Sequence, residues 1–284
     1  MTRRQARAAG PRVARAARKD VKPVSRRTAA PPERARRPPA AVAGLQRTLS
    51  QYLRESRGIG LSLLLVLPLL LAYEIAMLTV HAPLRNGAEM VVSRFFLQLR
   101  PETLVVLRRG LLLLLMVVAI VLVRAAPPKH VRVHWILGEA LLFALLLGPL
   151  LSLMVGGLGL SAEVRDGTAE ASAWLPFLLS VGAGLWEELV FRLALLGGLA
   201  WLLARALRMD RRAALGIAIA VSSLAFALYH HVGAMGEPLT ADRFLYRALA
   251  GTILGFLFAT RGLAVVVYMH VFYDVLCDLR TLHG

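Results

Sequence analysis

Long apolar blocks alternate with short polar breaks along most of this chain. The blocks fall at 58–80, then at about 104–123, 135–158, 173–203, 213–232, 243–260 and 263–279. Each comes near the roughly 20 residues that a helix needs to cross a hydrocarbon layer of about 30 Å. Within a block the apolar residues run on without the alternation that barrel strands require. Helices, which satisfy their backbone hydrogen bonds internally, are then the structure that fits such segments in lipid. The pattern predicts an all-α, polytopic transmembrane helical bundle with about seven spans. An apolar stretch at 90–99 is too short to cross and fits an interfacial or re-entrant segment, or an eighth span. Gly251 and Gly255 form a small-xxx-small pair suited to close helix packing, and Gly182, Gly184, Gly197 and Gly198 punctuate the fourth block.

Composition sharpens this picture. The 284 residues are 57% hydrophobic and 18% charged, against about 45–50% and about 25% in soluble domains. A single cysteine, Cys277, excludes an intrachain disulfide and a cysteine zinc cluster. The net charge of +17 is mostly local: residues 1–57 hold 16 basic and three acidic residues among many Ala and Pro. Such a stretch buries too little apolar surface to order itself, so 1–57 reads as a disordered basic cytoplasmic tail. It reads as a solvated anchor that keeps the N-terminus inside, or as a contact for anionic lipid. Nucleic acid is disfavoured, because the tail adjoins a span and lacks interleaved aromatics. The tail is too long for the n-region of a cleaved signal peptide, so the first block reads as a retained signal-anchor. The remaining chain divides into N-terminal transmembrane helices (58–160) and a C-terminal set (173–279).

Loop charges agree with an inside N-terminus. Arg124, Lys129, Arg132, Arg205, Arg208, Arg211, Arg212 and Arg261 fall inside, whereas Glu163, Asp166, Glu170, Glu237 and Asp242 fall outside, with Arg243 and Arg247. The first outer loop, with Arg85, Arg94, Arg100, Arg108 and Arg109, departs from the rule.

Candidate chemistry lies in the ionisable residues inside the later blocks. A charge at the centre of a membrane helix costs about 2.5–3.5 kcal/mol on insertion scales, and residues that bear this cost face the bundle interior and mark function. Glu187, Glu188 and Arg192 sit in the fourth block; Glu188 and Arg192 are one turn apart and can pair, leaving Glu187 about 100° around the helix for chemistry. Phe226 and His230 share a face at the end of the fifth block. His270 and Asp274 share one in the seventh, where Asp274 can accept the ring proton of His270. A structural ion pair and packing histidines are the bland alternative. Glu74 and Glu139, near block ends, need no site.

Glu-Glu-x-x-x-Arg (Glu187, Glu188, Arg192), Phe-x-x-x-His (Phe226, His230) and His-x-x-x-Asp (His270, Asp274), in that order on separate helices, resemble the CAAX-prenyl-protease and bacteriocin-processing family of intramembrane endopeptidases, the CPBP or Abi family. The resemblance covers about residues 173–279. It implies a glutamic or metallo-endopeptidase, a hydrolase that cuts a membrane-associated or C-terminally modified protein. Glu187 would activate a water and His230 would help hold it. His270 and position 274 would stabilise the oxyanion, and Glu188 and Arg192 would support them. The last position is usually Asn in the eukaryotic branch; Asp274 is a departure, since an ionised aspartate cannot donate to an oxyanion. It would be protonated, would polarise His270, or would ligate a metal. No cofactor is favoured, with zinc the alternative, although a His-Glu-x-x-His motif is absent. The competing readings are a proton-coupled transporter and a non-catalytic scaffold or immunity protein. The Arg/Ala/Pro-rich tail suggests a high-GC bacterial genome and hence an inner (plasma) membrane. The expected partners are a protein or peptide substrate and the lipid bilayer.

Overall fold

The computed structural model describes residues 39–80, 101–127, 132–160, 174–232 and 236–283; the short stretch at 90–99 lies outside them. These residues form helices, with no strand among them. In chain order the helices are α1 (Ala40–Glu55), α2 (Ile59–Val80), α3 (Pro101–Ala125) and α4 (Val133–Gly156). α5 runs as α-helix over Trp174–Glu187, widens to π geometry over Glu188–Gly197, and continues through Gly198–Trp201 and Leu202–Ala206. α6 (Arg211–Tyr229), α7 (Ala241–Arg261) and α8 (Leu263–His283) complete the chain. α2 to α8 correspond to the seven apolar blocks, in order.

Among the described residues, four segments are long and apolar enough to cross a membrane: Ile59–Met77, Val133–Gly156, Phe177–Ala206 and Arg211–Tyr229. α3, α7 and α8, at 25, 21 and 21 residues, also reach a spanning length. Which faces they bury shows the solvent they expect. On α4 the residues Ile136, Ala140, Ala144, Leu147, Leu151 and Val155 form a buried stripe at helical spacing. The opposite face exposes Leu141, Leu142, Leu145, Leu146 and Leu150, which suits lipid and not water. α8 is different. Leu263 to Val267 are all at most 1% exposed, so the start of this helix is enclosed on every side by its neighbours. It packs against α4, α5, α2 and α7 and is the axis of the bundle.

Close helix approach is built at the glycines. A Cβ on Gly184 of α5 would lie 2.7 Å from the backbone nitrogen of Val271 on α8. One on Gly251 of α7 would lie 3.0 Å from Ser223 Cα on α6, and one on Gly255 3.3 Å from Ile219 Cγ2 of the same helix, so both glycines of the expected small-residue pair face the crossing of α7 with α6. Only Gly262 separates α7 from α8, at φ +88°, ψ 175°, a conformation open to glycine.

Two expectations are corrected. The segment read as disordered through residue 57 contains α1. Tail-wide composition hid the local recurrence of Val42, Leu45, Leu49 and Leu53 at helical intervals. Glu139, read as needing no site, belongs to a polar cluster that ties α1 to the bundle. Tyr52 Oη donates to Glu139 Oε2 at 2.5 Å. Arg261, at the end of α7, donates to both oxygens of Glu139 and reaches Ser56 Oγ at 3.2 Å. Burial, then the neighbouring Glu139 carboxylate, push the Tyr52 hydroxyl pKa above its usual value.

Candidate active site

Three helices deliver the six side chains singled out from the sequence. α5 supplies Glu187, Glu188 and Arg192, α6 ends at His230, and α8 carries His270 and Asp274. The α-to-π transition of α5 falls between the two glutamates, where π segments often accompany function. Ser222 of α6 fastens the widened segment by donating to the Phe191 carbonyl at 2.7 Å.

Arg192 and Glu188 are both fully buried and form an ion pair at 3.1 Å. The guanidinium also reaches the Gly251 carbonyl at 3.4 Å and stacks 4.3 Å over the Phe226 ring. The same Glu188 oxygen lies 2.7 Å from His270 Nδ1. An ionised carboxylate only accepts, so Nδ1 is the donor and the ring is held with Nε2 pointing away from Glu188. His270 Nε2 then lies 3.7 Å from Glu187 Oε2 and 3.6 Å from Asp274 Oδ2. The partner expected for the His270 ring proton was Asp274. It is Glu188 that holds Nδ1, because the i,i+4 partner on α8 faces the opposite ring nitrogen.

His230 is oriented by its own helix. Its Nδ1 meets the Phe226 carbonyl at 2.8 Å, and a carbonyl accepts only, so Nδ1 carries the proton. Nε2 lies 3.9 Å from Glu187 Oε2. The Phe226 ring floors both imidazoles, with centroid separations of 4.6 Å to His230 and 6.2 Å to His270. One oxygen of Glu187 therefore faces the Nε2 atoms of two histidines. Both separations exceed a direct hydrogen bond and suit one small polar molecule between the groups. Side-chain exposure rises from zero at Glu188 and Arg192, through 7% at Glu187, to 24% at Asp274. The cluster is sealed at the arginine and opens at the aspartate.

Glu187 lies about 20 Å along α5 from Trp174, and the residue capping α6 reaches it. His230 thus comes within 3.9 Å of Glu187.

Sequence reasoning missed Arg247 and Glu237, which it placed in an outer loop. Arg247 of α7 forms an ion pair with Glu237. Its guanidinium is close enough to act electrostatically on Glu187, His230 and Asp274. Glu237 in turn donates its backbone N–H to the His230 carbonyl at 2.8 Å, and its own carbonyl lies 3.1 Å from His231 Nδ1. The turn after α6 is thus sewn to His230. Ten residues separate the charged pair, and no periodic spacing announces it.

The donor set bears on a metal as follows. Two ligands of a tetrahedral zinc stand roughly 3.3–3.5 Å apart, from bonds of about 2.0–2.2 Å. Glu187 and the two imidazoles are spaced more widely, and no group of three or more His, Cys, Asp or Glu side chains among the described residues is arranged to hold a metal ion.

Fold and cluster together define an integral membrane protein of the all-helical class with a buried carboxylate–imidazole site. Residues 169–276 match the family model described as type II CAAX prenyl endopeptidase Rce1-like. The match spans all six residues and supports a CAAX-protease-type intramembrane endopeptidase, a hydrolase. No curated protein and no solved structure matches the chain.

Proposed function

We propose that this protein is a metal-free intramembrane endopeptidase in which Glu187 activates the hydrolytic water. The observation that carries this reading is the convergence of His230 Nε2 and His270 Nε2 on a single oxygen of Glu187, at 3.9 and 3.7 Å. A water donating to Glu187 and to the bare Nε2 of neutral His230 has its oxygen lone pair free. That oxygen attacks the scissile carbonyl while Glu187 takes the proton. The tetrahedral oxyanion is met by His270, which presents Nε2–H in its protonated form, with Nδ1 anchored on Glu188. Collapse breaks the C–N bond, Glu187 passes its proton to the departing nitrogen, and the products are a carboxylic acid and an amine. General-base catalysis of this kind contributes about 10²–10⁴-fold. Asp274, 3.6 Å from His270 Nε2, stabilises the imidazolium electrostatically and is a positioning group. Arg192 neutralises Glu188 and leaves Glu187 as the working carboxylate.

The substrate is a membrane-associated or C-terminally modified protein that reaches the cluster from the Asp274 side. The membrane is the bacterial inner membrane, and the N-terminus is cytoplasmic. The test is proteolysis in proteoliposomes by protein stripped with a strong chelator. Retained cleavage, lost in Glu187→Gln with the thermal melt unchanged, is expected. Loss on chelation that zinc restores overturns the metal-free mechanism, and full activity of Glu187→Gln overturns the assignment of the base.

A further inference from the structure

α1 precedes the first apolar span and plays no part in the catalytic cluster, yet it is amphipathic and anchored. At about 100° per residue, Val42, Leu45, Leu49, Tyr52 and Leu53 fall within an arc of about 100°. Arg47, Gln51 and Arg54 lie on the opposite side. Tyr52 and the following Ser56 are buried, at 8% and 2%, in the polar cluster with Glu139 and Arg261. Val42, Leu45, Leu49 and Leu53 on that same face are 43%, 65%, 47% and 37% exposed. One continuous apolar face thus meets the bundle at its C-terminal end and projects past it at its N-terminal end.

Where that face points follows from the helices it touches. Glu139 lies in the second turn of α4 and Arg261 ends α7, so the anchor is at the ends of two transmembrane helices. α2 begins at Ile59, within four residues of the last α1 residue, which puts the end of α1 where a span enters lipid. Arg57 adds a second tie by donating to the Ala259 carbonyl at 3.0 Å. An apolar face held at this level, beside the bundle, faces the headgroup and acyl boundary. The exposed arginines on its other side complement anionic headgroups.

We infer that α1 is an in-plane helix that binds an anionic lipid surface, its stripe of Val42, Leu45, Leu49 and Leu53 inserted beside the bundle and its arginines at the headgroups. The Tyr52–Glu139–Arg261 cluster fixes its azimuth. The test uses the full chain with Cys277→Ala, carrying Leu45→Cys, Leu49→Cys or Gln51→Cys, each labelled with a fluorophore. The variants are reconstituted in vesicles of phosphatidylcholine alone or mixed with phosphatidylglycerol. In the mixed vesicles, labels at 45 and 49 should be severalfold less accessible to a water-soluble quencher than the label at 51. They should also be quenched by brominated acyl chains, and their protection should weaken in neutral vesicles or high salt. Equal water accessibility at all three positions overturns the insertion, and protection indifferent to lipid charge overturns the anionic partner. Cross-linking of two copies through position 49 would show that a second chain covers the face, which also overturns it. A Tyr52→Phe/Glu139→Gln variant provides a second reading: labels at 45 and 51 should lose their contrast, and a contrast that persists removes the role of the cluster.

Discussion

Replacing Arg192 by leucine tests the buried pair on which the geometry of the site depends. Both partners are fully excluded from solvent, and the Glu188 oxygen that pairs with Arg192 also accepts from His270 Nδ1. Removing one partner of a buried ion pair leaves an uncompensated charge and costs about 3–5 kcal/mol. In Arg192→Leu the protonated His270 still faces Glu188 but the guanidinium is gone, so a loss near the low end of that range is expected. Replacing both residues by leucine removes the stranded charge. What remains is the cost of an imidazole N–H without its acceptor, about 1–3 kcal/mol. The double variant should therefore be more stable than Arg192→Leu alone, while remaining inactive, because His270 has lost the group that orients it. Reversible unfolding by SDS in mixed micelles reads both energies. A single-variant cost under about 1 kcal/mol, or a double variant that loses the sum of the two singles, would refute the sealed-pair reasoning.

Gly184→Ala places a Cβ 2.7 Å from the Val271 backbone nitrogen, so α5 and α8 must part by several tenths of an ångström beside Glu187 and His270. A displacement near 1 Å costs about 10²-fold in rate, and cleavage assays should show a large loss with the bundle still folded. Asp274→Asn should keep part of the cleavage, since an amide oxygen still faces His270 Nε2, and Asp274→Ala should lose more of it in the same assay. Exchanging the charges in Glu237→Arg/Arg247→Glu should restore part of the activity that either single change removes, read as kcat at saturating substrate. Failure of the exchange with a normal melt would assign Arg247 to its field at the site, and not to holding His230.

The spans and the chemistry-bearing residues could be read because membrane burial makes both loud: lipid demands unbroken apolar runs, and charges within them stand out. All seven blocks appear as helices, and Glu187, His230 and His270 meet. Three-dimensional partnership was quieter. Nothing in the spacing of Glu188 and His270, 82 residues apart, said that Glu188 would meet the other ring nitrogen of His270. Arg247 and Glu237 read as loop charges because topology rules count sign and side, not contact. α1 was lost because a single composition described 57 residues, of which the last third carries its own periodicity. Glu139 looked dispensable because its partners, Tyr52 and Arg261, lie 87 and 122 residues away.

Catalysis rests on Glu187 and two imidazoles acting on one water, and proteomics of C-terminal fragments tests this most directly. Cells carrying the wild-type protein should show a set of membrane-protein fragments that disappears with Glu187→Ala at equal expression. The His230→Ala and His270→Ala variants should lose the same set. An unchanged fragment pattern across all three variants would contradict it.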